Sequence, residues 1–229
     1  MGAIKNLVFR WKRDVVGVIK YLTLSTTSTS ASWTPPLVTN AGSTLTWDVT
    51  GDITSTSQNV DTPTFDLSAN IGTVDMSIYN VSNLTGFNVV GRNVSTINVA
   101  SATNLTYISC GLNQLTSLDV STLINLNNLQ CVDNSISNLD ISNSPLLTTI
   151  HCRTNSLLTL DISNNPLLKS LQIHYNNLSS IVTNQILADL VLNGVTNGDL
   201  SYRNNETGQG VTDRATLVSR GWTIVNYAT

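Results

Sequence analysis

Apolar and polar positions return along the middle of the chain with a fixed step of 21 residues. Leu105, Ile108, Cys110 and Asn113 open one copy, and Leu126, Leu129, Cys131 and Asn134 the next. Leu147, Ile150, Cys152 and Asn155 follow, then Leu168, Leu171, Ile173 and Asn176. Leu84, Phe87, Val89 and Asn93 fit an earlier copy with a slip of one residue. In "LQC" and "IHC" the apolar residues flank a polar one. Side chains alternate across a strand, so the flanks point inward and the middle residue outward. One such copy cannot bury its apolar edge alone; stacked copies can, each adding one short strand to a parallel sheet. The four Asn fall where the chain leaves each strand. An inward Asn there bonds backbone groups that the turn leaves unpaired, and the row stacks into a ladder.

The pattern Leu-x-x-Leu-x-Cys-x-x-Asn-x-Leu resembles the leucine-rich repeat family, with Cys110, Cys131 and Cys152 in the third apolar position. The resemblance covers residues 80–182, and its short period is similar to that of bacterial repeats such as those of Bacteroidetes surface proteins. It implies a mainly β solenoid. Three cysteines at the repeat spacing read as free buried thiols acting as small apolar residues rather than a disulfide framework. A second strand-like stretch recurs in "LTSLDVS", "ISNLDIS" and "LLTLDIS", stacking Asp119, Asp140 and Asp161. Those carboxylates either accept hydrogen bonds beside Ser121, Ser142 and Ser163 or bind calcium; the turn reading is preferred because a glycine-rich calcium repeat is absent.

Residues 1–24 form a separate unit. Ile4, Val8, Trp11, Val15, Val18 and Leu22 are spaced four, three, four, three, four, the seam of a short coiled coil or anchor helix. Two alternatives stay open: a strand, from the Val-rich "DVVGVIKYLTL", and a basic helix lying on a membrane surface. The head makes a poor signal peptide, since charges interrupt its apolar run. Residues 25–36 read as a Ser/Thr/Pro linker and 37–79 as a β-rich N-terminal cap, with a loose likeness to a PKD-like pattern. Residues 183–229 read as a small α/β C-terminal cap. It holds a helix from near Thr183 to Gly194, a strand in "GDLSYRNN", a helix capped by Thr212 and stopped by Gly221, and a closing strand "WTIVNY". This tail resembles the C-terminal caps of Bacteroidetes and bacteriophage repeat proteins.

Composition narrows the function. Only 11% of the 229 residues are charged, against roughly 25% in soluble domains. Asn, Ser and Thr take the polar positions, which suits stacked strands where like charges would repel. The net charge of −3 speaks against a general nucleic-acid binder. Five of the 11 basic residues, Lys5, Arg10, Lys12, Arg13 and Lys20, lie in the first twenty positions, so a basic head precedes an acidic body and suggests its own partner. No segment is long and apolar enough to span a membrane. Motifs for nucleophilic, P-loop or zincin chemistry are missing, and no cofactor is expected. His151 and His174 are a conceivable zinc pair without a third ligand, and read better as recognition residues.

The outward positions differ from copy to copy while the inward ones repeat. Tyr107, Ser109, Asn128, Gln130, Asp133, His151, Arg153, Gln172, His174 and Tyr175 make up this face. Variable solenoid faces are binding surfaces, and amides with Tyr, His and Arg suit a glycan or a polar protein surface. The sequence therefore points to a non-enzymatic recognition protein. In the preferred reading it is a bacteriophage virion component, a head or tail fibre or decoration protein. It attaches to other virion proteins through residues 1–24, with a homo-oligomer possible, and presents the repeat face to a host surface. A bacterial cell-surface adhesin and a purely structural virion spacer are the alternatives.

Overall fold

The computed structural model describes residues 21–26, 37–38, 46–50, 57–58, 74–79, 84–203 and 205–227. Two sheets organise them. A five-stranded sheet has the order Ser57–Gln58, Thr46–Thr50, Val74–Tyr79, Tyr21–Thr26, Val94–Asn98, and an eight-stranded one the order Thr223–Tyr227, Asp199–Arg203, Ser170–Gln172, Thr149–His151, Asn128–Gln130, Tyr107–Ser109, Gly86–Asn88, Leu37–Val38.

The second sheet is the spine of the solenoid. It runs through β6 (Gly86–Asn88), β8 (Tyr107–Ser109), β9 (Asn128–Gln130), β10 (Thr149–His151) and β11 (Ser170–Gln172), each parallel to its neighbour and one copy further along the sequence. The strands are three residues long because the chain must turn inward at once to begin the rest of the coil. Behind the sheet the three cysteines are free and buried, aligned with Val89 and Ile173 in the core. Burial pushes the Cys131 thiol up to about 12 and holds Cys110 and Cys152 well above the usual thiol range.

Each ladder Asn joins two coils. The Asn155 amide donates to the carbonyls of Cys152 and Arg153 in its own coil, and to Cys131 of the coil before at 2.9 Å. Its Oδ1 accepts from the Ile136 N–H at 2.9 Å. Asn134 and Asn113 repeat this pattern, and Asn176 keeps the link to Cys152 and Leu157. In the first coil the register is unbroken rather than slipped. Arg92, not Asn93, stands 21 residues before Asn113, and its N–H donates to Asn113 Oδ1 at 3.0 Å. The residue before each ladder position is left-handed: Gly91, Leu112, Asp133, Thr154 and Tyr175 have φ between 53° and 65°. That turn aims one side chain outward and the following Asn inward.

The return path of each coil is built from turns. Leu123, Ser144 and Asn165 each donate to a carbonyl three residues earlier, and Leu126, Leu147 and Leu168 repeat the step. The second strand expected in every coil forms only once, as β7 (Val94–Asn98); beyond it lies a single bridge between Asn98 and Asp119. In later coils Asp119, Asp140 and Asp161 fold back on the N–H groups of Ser121, Ser142 and Ser163 at 2.9–3.0 Å, closing local turns in place of a ladder.

At the N-terminal end the backbone runs through β1 (Tyr21–Thr26), β2 (Leu37–Val38), β3 (Thr46–Thr50), β4 (Ser57–Gln58) and β5 (Val74–Tyr79). The helix expected through residue 24 does not reach that far. Tyr21–Thr26 is a strand, antiparallel to β5 on one side and β7 on the other, and it takes Leu22 with it. Alternating Tyr, Leu and Thr suit a strand, and two flanking ladders outweigh a heptad seam. Ser25 and Thr26 likewise belong to β1 rather than to a linker. Ile4, Val8, Trp11, Val15 and Val18 lie outside the described residues.

At the other end α1 (Ser180–Asn193) starts inside the last coil, with Ser179 as its cap accepting from the Val182 N–H, and stops at left-handed Gly194. Then come β12 (Asp199–Arg203), α2 (Gln209–Ser219) and β13 (Thr223–Tyr227). α2 begins after Gly208, earlier than the Thr212 cap expected from sequence. β12 pairs parallel with β11 and β13 with β12, so the tail extends the spine in register. Gly198 allows this closure: a Cβ there would meet the Trp222 ring at 2.6 Å and the Lys169 carbonyl at 2.7 Å.

Candidate functional site

The outward side of the spine carries two rows. Tyr107, Asn128, Thr149, Ser170, Asp199 and Thr223 stand side by side in one, and Ser109, Gln130, His151, Gln172, Ser201 and Val225 in the other. Strand register alone places them, at a spacing of about 4.8 Å. Asp133, Arg153, His174 and Tyr175 follow on the segments leaving the strands.

Not all of these side chains are offered to a partner. Ser109 is 4% exposed and His174 5%, so neither is the open recognition residue the alternation suggests. Ser109 is a short side chain in register between Asn88 and Gln130, and longer neighbours screen it. His174 is covered by rings: Tyr227 stacks on it with centroids 3.9 Å apart, and Tyr175 meets it edge-on at 4.9 Å. Its Nδ1 is 2.9 Å from Ser201 Oγ. Tyr107, Asn128, Gln130, Asp133, His151, Arg153 and Gln172 are half-buried and Tyr175 is exposed.

His151 Nε2 lies 2.9 Å from Ser170 Oγ. Burial lowers both histidines from the usual imidazole value, and the Arg153 charge adds to it, so both effects disfavour the charged ring. Among the described residues, no group of three or more His, Cys, Asp or Glu side chains is placed to hold a metal ion. Arg153 pairs with Asp133 at 3.5 Å, a partly exposed bridge that fixes orientation more than it stabilises.

One hollow of about 500 Å³ opens on this face, where the regular coils meet the cap. Arg153, Gln172, His174, Tyr175, Asp199 and Tyr227 are among the residues lining it. Four of the ten sequence-derived face residues gather here; Tyr107, Ser109, Asn128, Gln130, Asp133 and His151 lie elsewhere on the face. Asp199, Ser201 and Tyr227 were missed. Their signal was available only through register: once β12 and β13 continue the sheet, every second residue of "GDLSY" and "WTIVNY" joins the rows.

No helix among the described residues is long and apolar enough to cross a membrane. No family model matches the chain, and no curated protein does. Solved structures do. The chain is similar to the functional domain of InlJ from Listeria monocytogenes, described as including a cysteine ladder, at 26% identity and a TM-score of 0.48 over 54% of this chain and 26% of that one. It is similar to the internalin InlF of the same organism at 20% identity and a TM-score of 0.41, over 57% of this chain and 44% of that one. A leucine-rich-repeat protein from Leptospira interrogans gives 22% identity and a TM-score of 0.39, over 48% of this chain and 36% of that one. The chain thus spans from about a quarter to under half the length of these structures. By their own register and hydrogen bonds the coils described above, each with one short parallel strand and all but the first with a ladder Asn, form a solenoid.

Proposed function

We propose that the chain is a non-enzymatic recognition protein whose outward sheet face binds a polar ligand on a bacterial surface. One observation carries the reading. Inward positions repeat as Leu, Ile, Cys and Asn, while outward positions in register with them change from Tyr to Asn to Thr to Ser to Asp. A scaffold held constant beneath a varied face is the arrangement solenoids use for binding.

Adsorption to a panel of intact bacterial cells tests it, with the fluorescently labelled full chain as the probe. Changing Gln130→Ala, Arg153→Glu and Gln172→Ala together is expected to lower adsorption at least tenfold. Changing Thr116→Glu and Thr159→Glu, exposed positions on the return path of their coils rather than on the strands, is expected to leave it unchanged. Equal adsorption by all three proteins would make the coils a spacer.

The placement we propose is a bacteriophage virion, where a basic head attaches an acidic recognition body to other virion proteins; the same face would serve an adhesin on a cell surface. The contrast of charge between residues 1–20 and the remainder supports a separate partner for the head. Light scattering should compare the full chain with one beginning at Ile19, which keeps β1 whole. An oligomer that becomes a folded monomer on truncation supports self-assembly through the head. Two monomers would leave only a heterologous attachment.

A further inference from the structure

We infer that the hollow at the junction of the coils and the cap is a saccharide subsite, in which a neutral sugar ring stacks on Tyr175 while Gln172 and Asp199 bond its hydroxyls. The inference rests on the recognition reading above and names its ligand class.

Three features support it. The first is the ring surface. Tyr175 is 57% exposed, and Tyr227, tilted 57° to it with centroids 5.4 Å apart, forms a second wall. The C–H face of a pyranose is apolar with a partial positive charge, and it complements the negative face of an aromatic ring. The second is rigidity. The backbone of Tyr175 is held in the left-handed turn at φ 55°, its carbonyl accepts from the Asn155 N–H at 3.2 Å, and its ring rests on His174. A platform already fixed loses little conformational entropy on binding. The third is charge. Among the lining residues only Arg153 and Asp199 are formally charged, and they oppose each other. The remaining polar groups are amide and hydroxyl: Gln172 offers both donor and acceptor, and the Asp199 carboxylate accepts. Such a lining suits a ligand dense in hydroxyls and without net charge. A volume near 500 Å³ falls within the range of about 300–1,000 Å³ for small-ligand sites.

The test uses the full chain on an array of immobilised neutral, sialylated and sulfated oligosaccharides, alongside cell adsorption before and after periodate oxidation of cell-surface diols. Tyr175→Asn removes the ring and tolerates the left-handed backbone; Tyr175→Phe keeps the ring; Thr116→Ala, an exposed position outside the face, is the control. The expected result is binding to neutral oligosaccharides that falls at least tenfold in Tyr175→Asn and survives in the other two, with cell adsorption lost after periodate. Cell adsorption that resists periodate and Tyr175→Asn, yet falls in the Gln130, Arg153 and Gln172 variant, overturns the saccharide subsite and leaves the recognition face standing. Binding only to sialylated or sulfated glycans also overturns it. No binding to cells or array in any form overturns both.

Discussion

Two rows of short polar side chains run along this solenoid at the same 21-residue step, and they do different work. The Asn row lies inside. Each member reaches back 19 and 24 residues to the coil before it, as Asn134 does to Leu115 and Cys110. The Asp row lies outside, and each member bonds only the serine two residues ahead, through its N–H and hydroxyl, as Asp161 does to Ser163. Repetition alone does not distinguish them. Reach does: the stability of a solenoid resides in its nearest-neighbour interfaces, and only the Asn row crosses them.

Removing one member of each row gives the sharpest break of that comparison. Asn155→Ala strands the Ile136 N–H and removes one of two donors from the Cys131 carbonyl, which keeps the Asn134 amide. An unpaired buried group costs about 1–3 kcal/mol and the lost inter-coil bonds add to it, so a loss of roughly 3 kcal/mol is expected from guanidinium unfolding. Asp161→Ala loses only exposed turn bonds to Ser163, and the expected change is under about 0.5 kcal/mol. Losses of equal size would end the distinction between the rows.

The cysteine row, which faces the same core, comes next in size. Cys131→Ser puts a hydroxyl among buried apolar neighbours, at an expected cost of about 1–3 kcal/mol. With its thiol held near 12 by burial, Cys131 has almost no thiolate at pH 8. Native protein should therefore resist alkylation there until denaturant unfolds it, while unfolded chain reacts at once. Rapid labelling of the folded protein would show the interior to be open.

The left-handed position between the strand and the Asn row offers an effect of opposite sign. Thr154 is β-branched, yet sits at φ 54°. Asn tolerates that region better. Thr154→Asn is expected to raise stability by about 0.5–1 kcal/mol, read as a higher denaturation midpoint. A lower midpoint would mean that the Thr154 side chain contributes more than its backbone strain costs.

The inward half of this molecule was legible in the sequence because its period is long and its residue types are few. Alternation placed Cys110, Cys131 and Cys152 inside, and the chain's exit from the strand placed Asn134 and Asn155. The outward half was legible only as positions. Alternation marks Ser109 and His174 as outward, but whether water reaches them depends on neighbours in other coils and on a Tyr227 more than fifty residues beyond His174. Tyr227 itself carried no signal until β13 was known to lie in register on β12. Tyr21–Thr26 failed for a related reason. Its residues satisfy both a heptad and a strand period, and the choice falls to β5 and β7, remote in sequence.

The smallest effect separates exposed from buried carboxylates by the sign of a pH slope. The Ser163 hydroxyl and N–H hold the Asp161 carboxyl below the usual carboxylate value of 3.8. A depressed carboxyl contributes stability that is present above the unfolded pKa and lost as pH falls through the folded one. Burial on α1 raises Asp189, against the pull of the Gln185 amide, and the nearby Asp161 charge adds to the rise. A raised carboxyl works in the other direction: its contribution is full below 3.8 and is lost as pH climbs through the folded pKa. Asp161→Asn keeps an acceptor for the turn, as Asn98 does for Ala100 in the first coil, so it should flatten the acid limb with little change in fold. Asp189→Asn should raise the melting temperature at pH 7 by roughly 1–2 °C and make no difference near pH 3. Melting curves of both variants between pH 3 and 7 carry the decision. Opposite trends tie each carboxyl to its surroundings; parallel trends would place Asp189 in water with the outer row, and its burial against the last coil would have to be abandoned.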